Sequence, residues 1–415
     1  MIALSFLQKK ITPQQAFMLS ALIVNAGNYV YNLILGRLLG PAAFADAAII
    51  ITLLLVLSFA AMTFQLGTAR FMVLLKEEDQ AAFLNKITRW GLRTGIAIGA
   101  LFILFAENLQ SVFQTDSKAM FIVFGFAVPL YFLMSINRGI FQGKQDMWSL
   151  AKTYQFEMWG RLVLTLLCIL LFRRNPAIGV AVGVGLSLFI AQFPKSKNKH
   201  LKLKFHSLNP ELKSEVIRFF MITAFYEGTQ ILINNSDILM VKHYFDSYEA
   251  GLYASLALIG RVVYFVAWMF VMILLPVVVE KHKNGENTQG ILMKYVGYIA
   301  SLASSIVVVC FVTPHFIVNL LFGEAYIEVA HLLGPYALAT GLFALANLFA
   351  YYFLSLGKYI PVFIGFVGGF LQIVFVICFH DTLLQVILAQ NAAMVLLMLA
   401  QISYYYYFSK FKDPN

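Results

Sequence analysis

Charge is what this sequence has least of. Only 12% of its 415 residues are Asp, Glu, Lys or Arg, against about 25% in an ordinary soluble protein. Cysteine is scarce as well: Cys168, Cys310 and Cys378 lie in separate apolar segments with no paired spacing. Such thiols read as packing residues rather than as disulfide partners or zinc ligands. No histidine falls in an HExxH or other close metal pair, and no GxxxxGK[ST] loop occurs. Direct ATP use therefore has no motif to rest on, and no metal or other cofactor is expected. A nucleophile elbow and a long extracytoplasmic loop are also missing, so the chain does not read as an enzyme. The opening stretch MIALSFLQKKITPQQ places its charges after a short apolar run. That order is the reverse of a secretory leader, so no cleaved leader is expected.

Apolar bulk takes the place of charge. The chain is 60% hydrophobic, with 39 Phe and 20 Tyr, and its mean hydropathy is +0.79. Runs such as 47–61 and 361–379 contain no charge and approach or reach the roughly 20 residues needed to cross ~30 Å of hydrocarbon. The fold class is all-α and polytopic. About twelve spans begin near Ala16, Phe44, Trp90, Ala119, Tyr154, Pro176, Val216, Glu249, Ile291, Glu328, Tyr359 and Thr382. The fifth and sixth can alternatively be read as one re-entrant hairpin.

Lysine and arginine alternate between loop sets. One set, which includes Lys9, Lys10, Arg70, Arg138, Lys358 and the central stretch PKSKNKHLKLKFH, holds 22 of the 30 cations, and the opposite set holds five. Positive-inside logic places both termini and the linker 194–212 in the cytoplasm. The pair Arg173-Arg174 runs against that rule at one hairpin. The net charge of +10 thus follows one membrane face, and nucleic acid is not an expected partner. The linker reads as topogenic, with contact to anionic membrane lipid as the alternative.

The linker also falls at mid-chain. GPAAFADAAI from Gly40 aligns with DSYEAGLYASL from Asp246 at an offset of 206, which also sets Asn28 on Asn234. Gly143-Lys144 aligns with Gly357-Lys358 at an offset of 214. Three matches in one order predict two pseudo-repeated six-helix lobes, 1–193 and 213–415, around a central cavity, an architecture shared by many secondary transporters.

Polar residues inside the spans then become informative. Glu227, Gln230, Asn234 and Asp237 are spaced to share one helix face, and Asn25, Asn28 and Asn32 do the same on the first span. Such groups either tie helices together or line a water-filled lumen, and two stripes on repeat-equivalent helices favour the lumen. Arg218 sits in the first turn of its span and can snorkel to the interface. Arg261 lies roughly 18 Å along its helix from Glu249, too deep for that escape. Arg161 follows Glu157 by four residues, so the two either pair or face a substrate. Intramembrane charge reads as functional by default. Glu157, Glu227 and Asp237 offset the arginines, which leaves the net charge of the lumen open.

The stretch NNSDILMVKHYFDSYEAGLYASLALIGRV from Asn234 resembles the seventh- and eighth-helix signature of the polysaccharide-biosynthesis flippases. These are the O-antigen and capsule repeat-unit translocases of the multidrug/oligosaccharidyl-lipid/polysaccharide exporter superfamily. GRLLGPAAFADAAIIITLLLVLSFAAMTFQLGTARF resembles their first hairpin, although Ala45 and Asp46 stand where a Gly and an apolar residue are usual. LFGEAYIEVAHLLGPYALATGLFALANLFAYYFLSLGKY resembles the tenth span and its approach. The resemblance implies alternating-access movement of an undecaprenyl-pyrophosphate-type oligosaccharide across the bacterial inner membrane. It implies a cationic cavity, here with Arg161 and Arg261 toward pyrophosphate and the amides toward sugar. Expected partners are the lipid-linked oligosaccharide, membrane lipids, a coupling ion (proton or sodium), and the polysaccharide polymerase with its chain-length machinery. Two alternatives stand beside it: a cation-coupled small-molecule exporter of the same superfamily, and a membrane polysaccharide polymerase. The second would be expected to carry the sizeable extracytoplasmic loop that this chain lacks.

Overall fold

The computed structural model describes residues 12–194, 210–264, 266, 267, 278, 281 and 286–411. The expected cytoplasmic linker lies outside these apart from its ends, as do Lys9, Lys10 and Lys412. Among the described residues there is no strand, and nine helices are long and apolar enough to cross a membrane. The all-α polytopic class expected from composition is the one observed.

The first helix, α1 (Pro13–Leu74), shows how local chemistry sets these elements. Thr12 and Gln15 form a reciprocal capping box, with Thr12 N–H donating to Gln15 Oε1 at 3.0 Å and Gln15 N–H to Thr12 Oγ1 at 3.2 Å. Pro13 sits at the first helical position, where a missing N–H costs nothing. A straight helix of 62 residues would run ~93 Å, about three hydrocarbon cores. Gly40 breaks it, at φ 71° and ψ 171°, a backbone region that residues with a Cβ avoid. Pro41 then starts the second arm without needing a donor.

By compactness the chain divides into two units, Met1–Leu35 with Asp46–Gly228 and Gly36–Ala45 with Thr229–Asn415. Unit 1 contains most of α1, then α2 (Glu77–Leu104), the short α3 (Ala106–Val112), α4 (Ala119–Gly143), α5 (Met147–Leu171) and α6 (Pro176–Ile190). It ends with the first part of α7 (Pro210–Tyr244). The fifth and sixth expected spans are two helices joined by four residues, and the second of them, α6, is the shorter. Helices α2 and α4 approach at Gly99 and Gly125, where a Cβ on either would strike the other's carbonyl oxygen. Gly179 and Gly183 of α6 meet α5 at Cys168 and Thr165 in the same manner, the close approach small residues permit in lipid. Asp146 caps α5 by accepting from Ser149 N–H at 3.1 Å.

Unit 2 contains the rest of α7, then α8 (Ser247–Gly260), α9 (Gln289–Val312) and α10 (Pro314–Leu321). A 3-10 segment (Glu324–Leu332) leads into α11 (Leu333–Ser355), followed by α12 (Ile360–Cys378) and α13 (Leu383–Phe411). Asp246 caps α8 through Glu249 N–H at 2.8 Å. The elbow of α1, Gly36–Ala45, belongs to this unit. Arg37 donates from Nε to Leu321 O at 2.9 Å and from Nη2 to Leu320 O, satisfying the last carbonyls of α10 with a cation at the negative end of its dipole. Tyr326 donates to Gly36 O at 2.8 Å, and Phe44 packs on Phe322 and Tyr326.

Candidate functional site

Two buried ion clusters stand out, one in each unit. In unit 1, Thr153, Glu157 and Arg161 recur every fourth residue on α5 and so share one face. Arg138 reaches them from α4. Its Nε donates to Thr153 Oγ1 at 3.0 Å, and its Nη2 donates to Thr153 O at 3.1 Å and to Glu157 Oε2 at 2.7 Å. Its guanidinium carbon lies 3.7 Å from the centroid of the Tyr154 ring, a favourable place for a cation. Arg161 Nη2 donates to the other oxygen, Glu157 Oε1. Arg161 Nε is buried without an acceptor among the described residues, and an unmet buried donor costs about 1–3 kcal/mol. Two guanidiniums therefore share one carboxylate, leaving one uncompensated positive charge.

Arg138 is absent from the sequence-based site because it was grouped with the loop cations. The structure instead buries it inside α4, at 4% exposure, five residues before that helix ends. The sequence carried no decisive signal for this, since the apolar run from Ala119 up to Arg138 is already about as long as a span needs.

Unit 2 balances its charges differently. Asp237, 1% exposed, accepts from Arg261 Nη2 at 3.0 Å on Oδ1. Its Oδ2 accepts from Tyr336 at 2.8 Å and Tyr253 at 3.2 Å. Arg261 Nη1 also donates to Asn235 Oδ1 at 3.4 Å. One cation meets one anion here, and the two tyrosine hydroxyls fill the acceptor sites of Oδ2. Neither tyrosine was among the residues expected from the sequence.

The four consecutive polar residues 234–237 now have an account. Successive side chains on a helix point about 100° apart, so each of the four meets a different surrounding. Asn234 back-bonds to Gln230 O at 2.8 Å, Asn235 meets Arg261, and Asp237 meets α8 and α11. Ser236 accepts from Gln372 of α12 at 3.1 Å. Gln230 completes the set by donating to Asn347 Oδ1 at 3.0 Å. Asn234, Asp237, Arg261, Tyr336, Thr340 and Gln390 line a cavity of about 20 Å³, room for about one water. The buried Gln390 Oε1 has no partner among the described residues. A sugar does not fit there.

The stripe on α1 lies in unit 1. Asn32 back-bonds to Asn28 O at 2.8 Å, as Asn234 does to Gln230 O. Asn28 Oδ1 is buried without a donor among the described residues, whereas Asn25 is exposed. Glu227 is half-buried on the part of α7 that belongs to unit 1, and Gln230, Asn234 and Asp237 belong to unit 2. The α7 stripe is thus divided at residues 228 and 229. Among the described residues no group of three or more His, Cys, Asp or Glu side chains is placed to hold a metal ion.

The sequence matches a family described as polysaccharide biosynthesis proteins over residues 34–331. No curated protein sequence matches this chain. Among solved structures, it is similar to an inward-facing multidrug resistance MATE family transporter of the MOP superfamily. That likeness has a TM-score of 0.79 at 11% identity and covers 94% of this chain and 96% of that one. It is also similar to the lipid II flippase MurJ in an inward closed conformation, with a TM-score of 0.74 at 14% identity, over 94% of this chain and 87% of that one. An outward-facing MATE transporter follows with a TM-score of 0.63 at 14% identity, covering 94% and 96%. At such identities the likeness is one of fold.

Proposed function

Because the chain belongs to the polysaccharide biosynthesis protein family, we propose that it is a flippase for a lipid-linked oligosaccharide of the undecaprenyl-pyrophosphate type. It works in a bacterial inner membrane, exposing a hydrophilic path alternately to the two faces, and serves O-antigen or capsule synthesis. The polyprenyl tail stays in lipid while the head group crosses. The observation that carries this reading is the unit 1 cluster, where a buried and a largely buried guanidinium share one carboxylate. Uncompensated positive charge is costly at membrane depth, and a phosphoryl group is the anion that a guanidinium fork suits best. The amides on α1, with Asn25 exposed, supply hydrogen-bonding capacity of the kind that sugars need. The lipid-linked oligosaccharide and the surrounding membrane lipids are the direct partners. A coupling ion, proton or sodium, and the polymerase with its chain-length machinery complete the system.

Following labelled lipid-linked oligosaccharide in a deletion strain tests the reading. Single repeat units should accumulate on the cytoplasmic leaflet and clear when the gene is restored. Accumulation on the outer leaflet would indicate a polymerase. No accumulation on either leaflet would favour a small-molecule exporter; the MATE neighbour is described as a multidrug resistance transporter.

A further inference from the structure

Resting on that reading, we propose that Arg161 receives a phosphoryl oxygen of the lipid-linked pyrophosphate, and that Arg138 is its positioning residue, acting through Glu157. The two ion clusters differ in a way that selects between them. Asp237 and Arg261 form a closed pair, one charge on each side, with two tyrosine hydroxyls on the remaining carboxylate oxygen. That pair carries no net charge to draw an anion.

Glu157 is divided instead. Arg138 takes Oε2 at 2.7 Å and is itself fixed by two hydrogen bonds to Thr153 and by the Tyr154 ring. Arg161 is left with Oε1 alone, through Nη2, while its adjacent Nε has no acceptor among the described residues. Without Arg138, both carboxylate oxygens would be open to Arg161, and the pair would close as the unit 2 pair does. Arg138 thus keeps one edge of the Arg161 guanidinium uncommitted and keeps the cluster at one net positive charge. A tetrahedral oxyanion supplies both missing items, an acceptor for Nε and a counter-charge. A neutral or cationic ligand supplies neither.

Charge counting provides the test. The full chain is placed in phosphatidylcholine nanodiscs and titrated with undecaprenyl pyrophosphate. Arg138→Gln brings the cluster to zero net charge and should weaken binding roughly 10- to 100-fold, the loss of one or two charge-assisted hydrogen bonds, although Arg161 is intact. Glu157→Gln should bind at least as tightly as the wild type. The double variant Arg138→Gln/Glu157→Gln returns the net charge to that of the wild type and should recover most of the loss. A structural role for Arg138 predicts no such rescue, so a double variant as weak as Arg138→Gln overturns the proposal. The double variant carries no orphaned carboxylate and decides the matter even where Glu157→Gln folds poorly. Arg161→Lys, which keeps the charge but loses the fork, should fall between wild type and Arg161→Ala.

Phosphatidylglycerol, titrated in parallel, should bind more weakly and show no dependence on the series. An equal dependence would assign the site to bulk anionic lipid and overturn the proposal. Wild-type protein that binds the pyrophosphate with a flat variant series removes this inference and leaves the flippase reading standing. Wild-type protein that binds no polyprenyl pyrophosphate removes both.

Discussion

Asp237 accepts one bond from a guanidinium and two from tyrosine hydroxyls, all inside unit 2, and this arrangement predicts an asymmetric response to mutation. Asp237→Ala leaves the Arg261 guanidinium buried without a counter-charge, with only neutral partners, Asn235 at 3.4 Å and the Tyr336 hydroxyl. Breaking a buried pair from one side costs about 3–5 kcal/mol, so the thermal unfolding temperature in detergent should fall sharply. Arg261→Ala leaves a carboxylate that keeps both tyrosine donors, so its loss should be smaller. Removing both charges together, as in Asp237→Leu with Arg261→Met, should restore much of the stability, because no orphan remains. A double variant less stable than Asp237→Ala would show that packing, not charge, dominates the site. Arg261 and Asp237 were both legible in the sequence as intramembrane ions. Their mutual pairing was not, because they are joined by the packing of α7 on α8. Tyr253 and Tyr336 were invisible as partners, since a tyrosine in an apolar run carries no signature of what its hydroxyl meets.

Elements tell a similar story at the bend of α1. A second span expected to begin near Phe44 put a break close to GPAAF, and both its glycine and its proline act there as their backbone preferences require. What could not be read is that the elbow packs in unit 2, apart from the rest of its own helix. That depends on Arg37 reaching the end of α10, and on Gly251 of α8 lying directly against the carbonyl of Pro41. A Cβ at Gly251 would overlap Pro41 O, and backbone cannot move aside as a side chain can. Gly251→Ala should therefore cost about 1–3 kcal/mol, the usual penalty for overpacking. Gly290 makes a fair control, since nothing lies within 4 Å of a Cβ placed there. Gly40→Ala tests the other half of the elbow. Its positive φ is strained for any residue with a Cβ, so a loss of about 1–3 kcal/mol is expected, without any new steric contact. Paired unfolding curves for the three variants should rank Gly290→Ala well above both elbow substitutions. Equal stability of Gly251→Ala and Gly290→Ala would mean that the elbow yields readily.

For the whole molecule, composition alone was enough for the class. Sixty per cent hydrophobic residues and 12% charge admit few soluble solutions, and the helices follow from the length of the apolar runs. Orientation rests on a weaker signal, the bias of Lys and Arg toward one set of loops, and Arg138 shows how that tally can absorb a residue that the fold buries. The bias survives removing it, since the remaining loop cations still lie mostly on one side. We therefore propose that both termini are cytoplasmic, and the end of unit 2 offers an internal check. Cys378 closes α12 and is exposed, whereas Cys168 and Cys310 are buried. Ser409 lies near the far end of α13, a helix of 29 residues, ~43 Å long and enough to cross the bilayer. Cys378 and Ser409 should then face opposite compartments. In intact cells, a membrane-impermeant thiol reagent should label native Cys378 and should not label Ser409→Cys built on a Cys378→Ser background. Opening the cells should make Ser409→Cys reactive. Labelling of Ser409→Cys in intact cells, with Cys378 silent until the cells are opened, would invert the topology and put the basic loops outside.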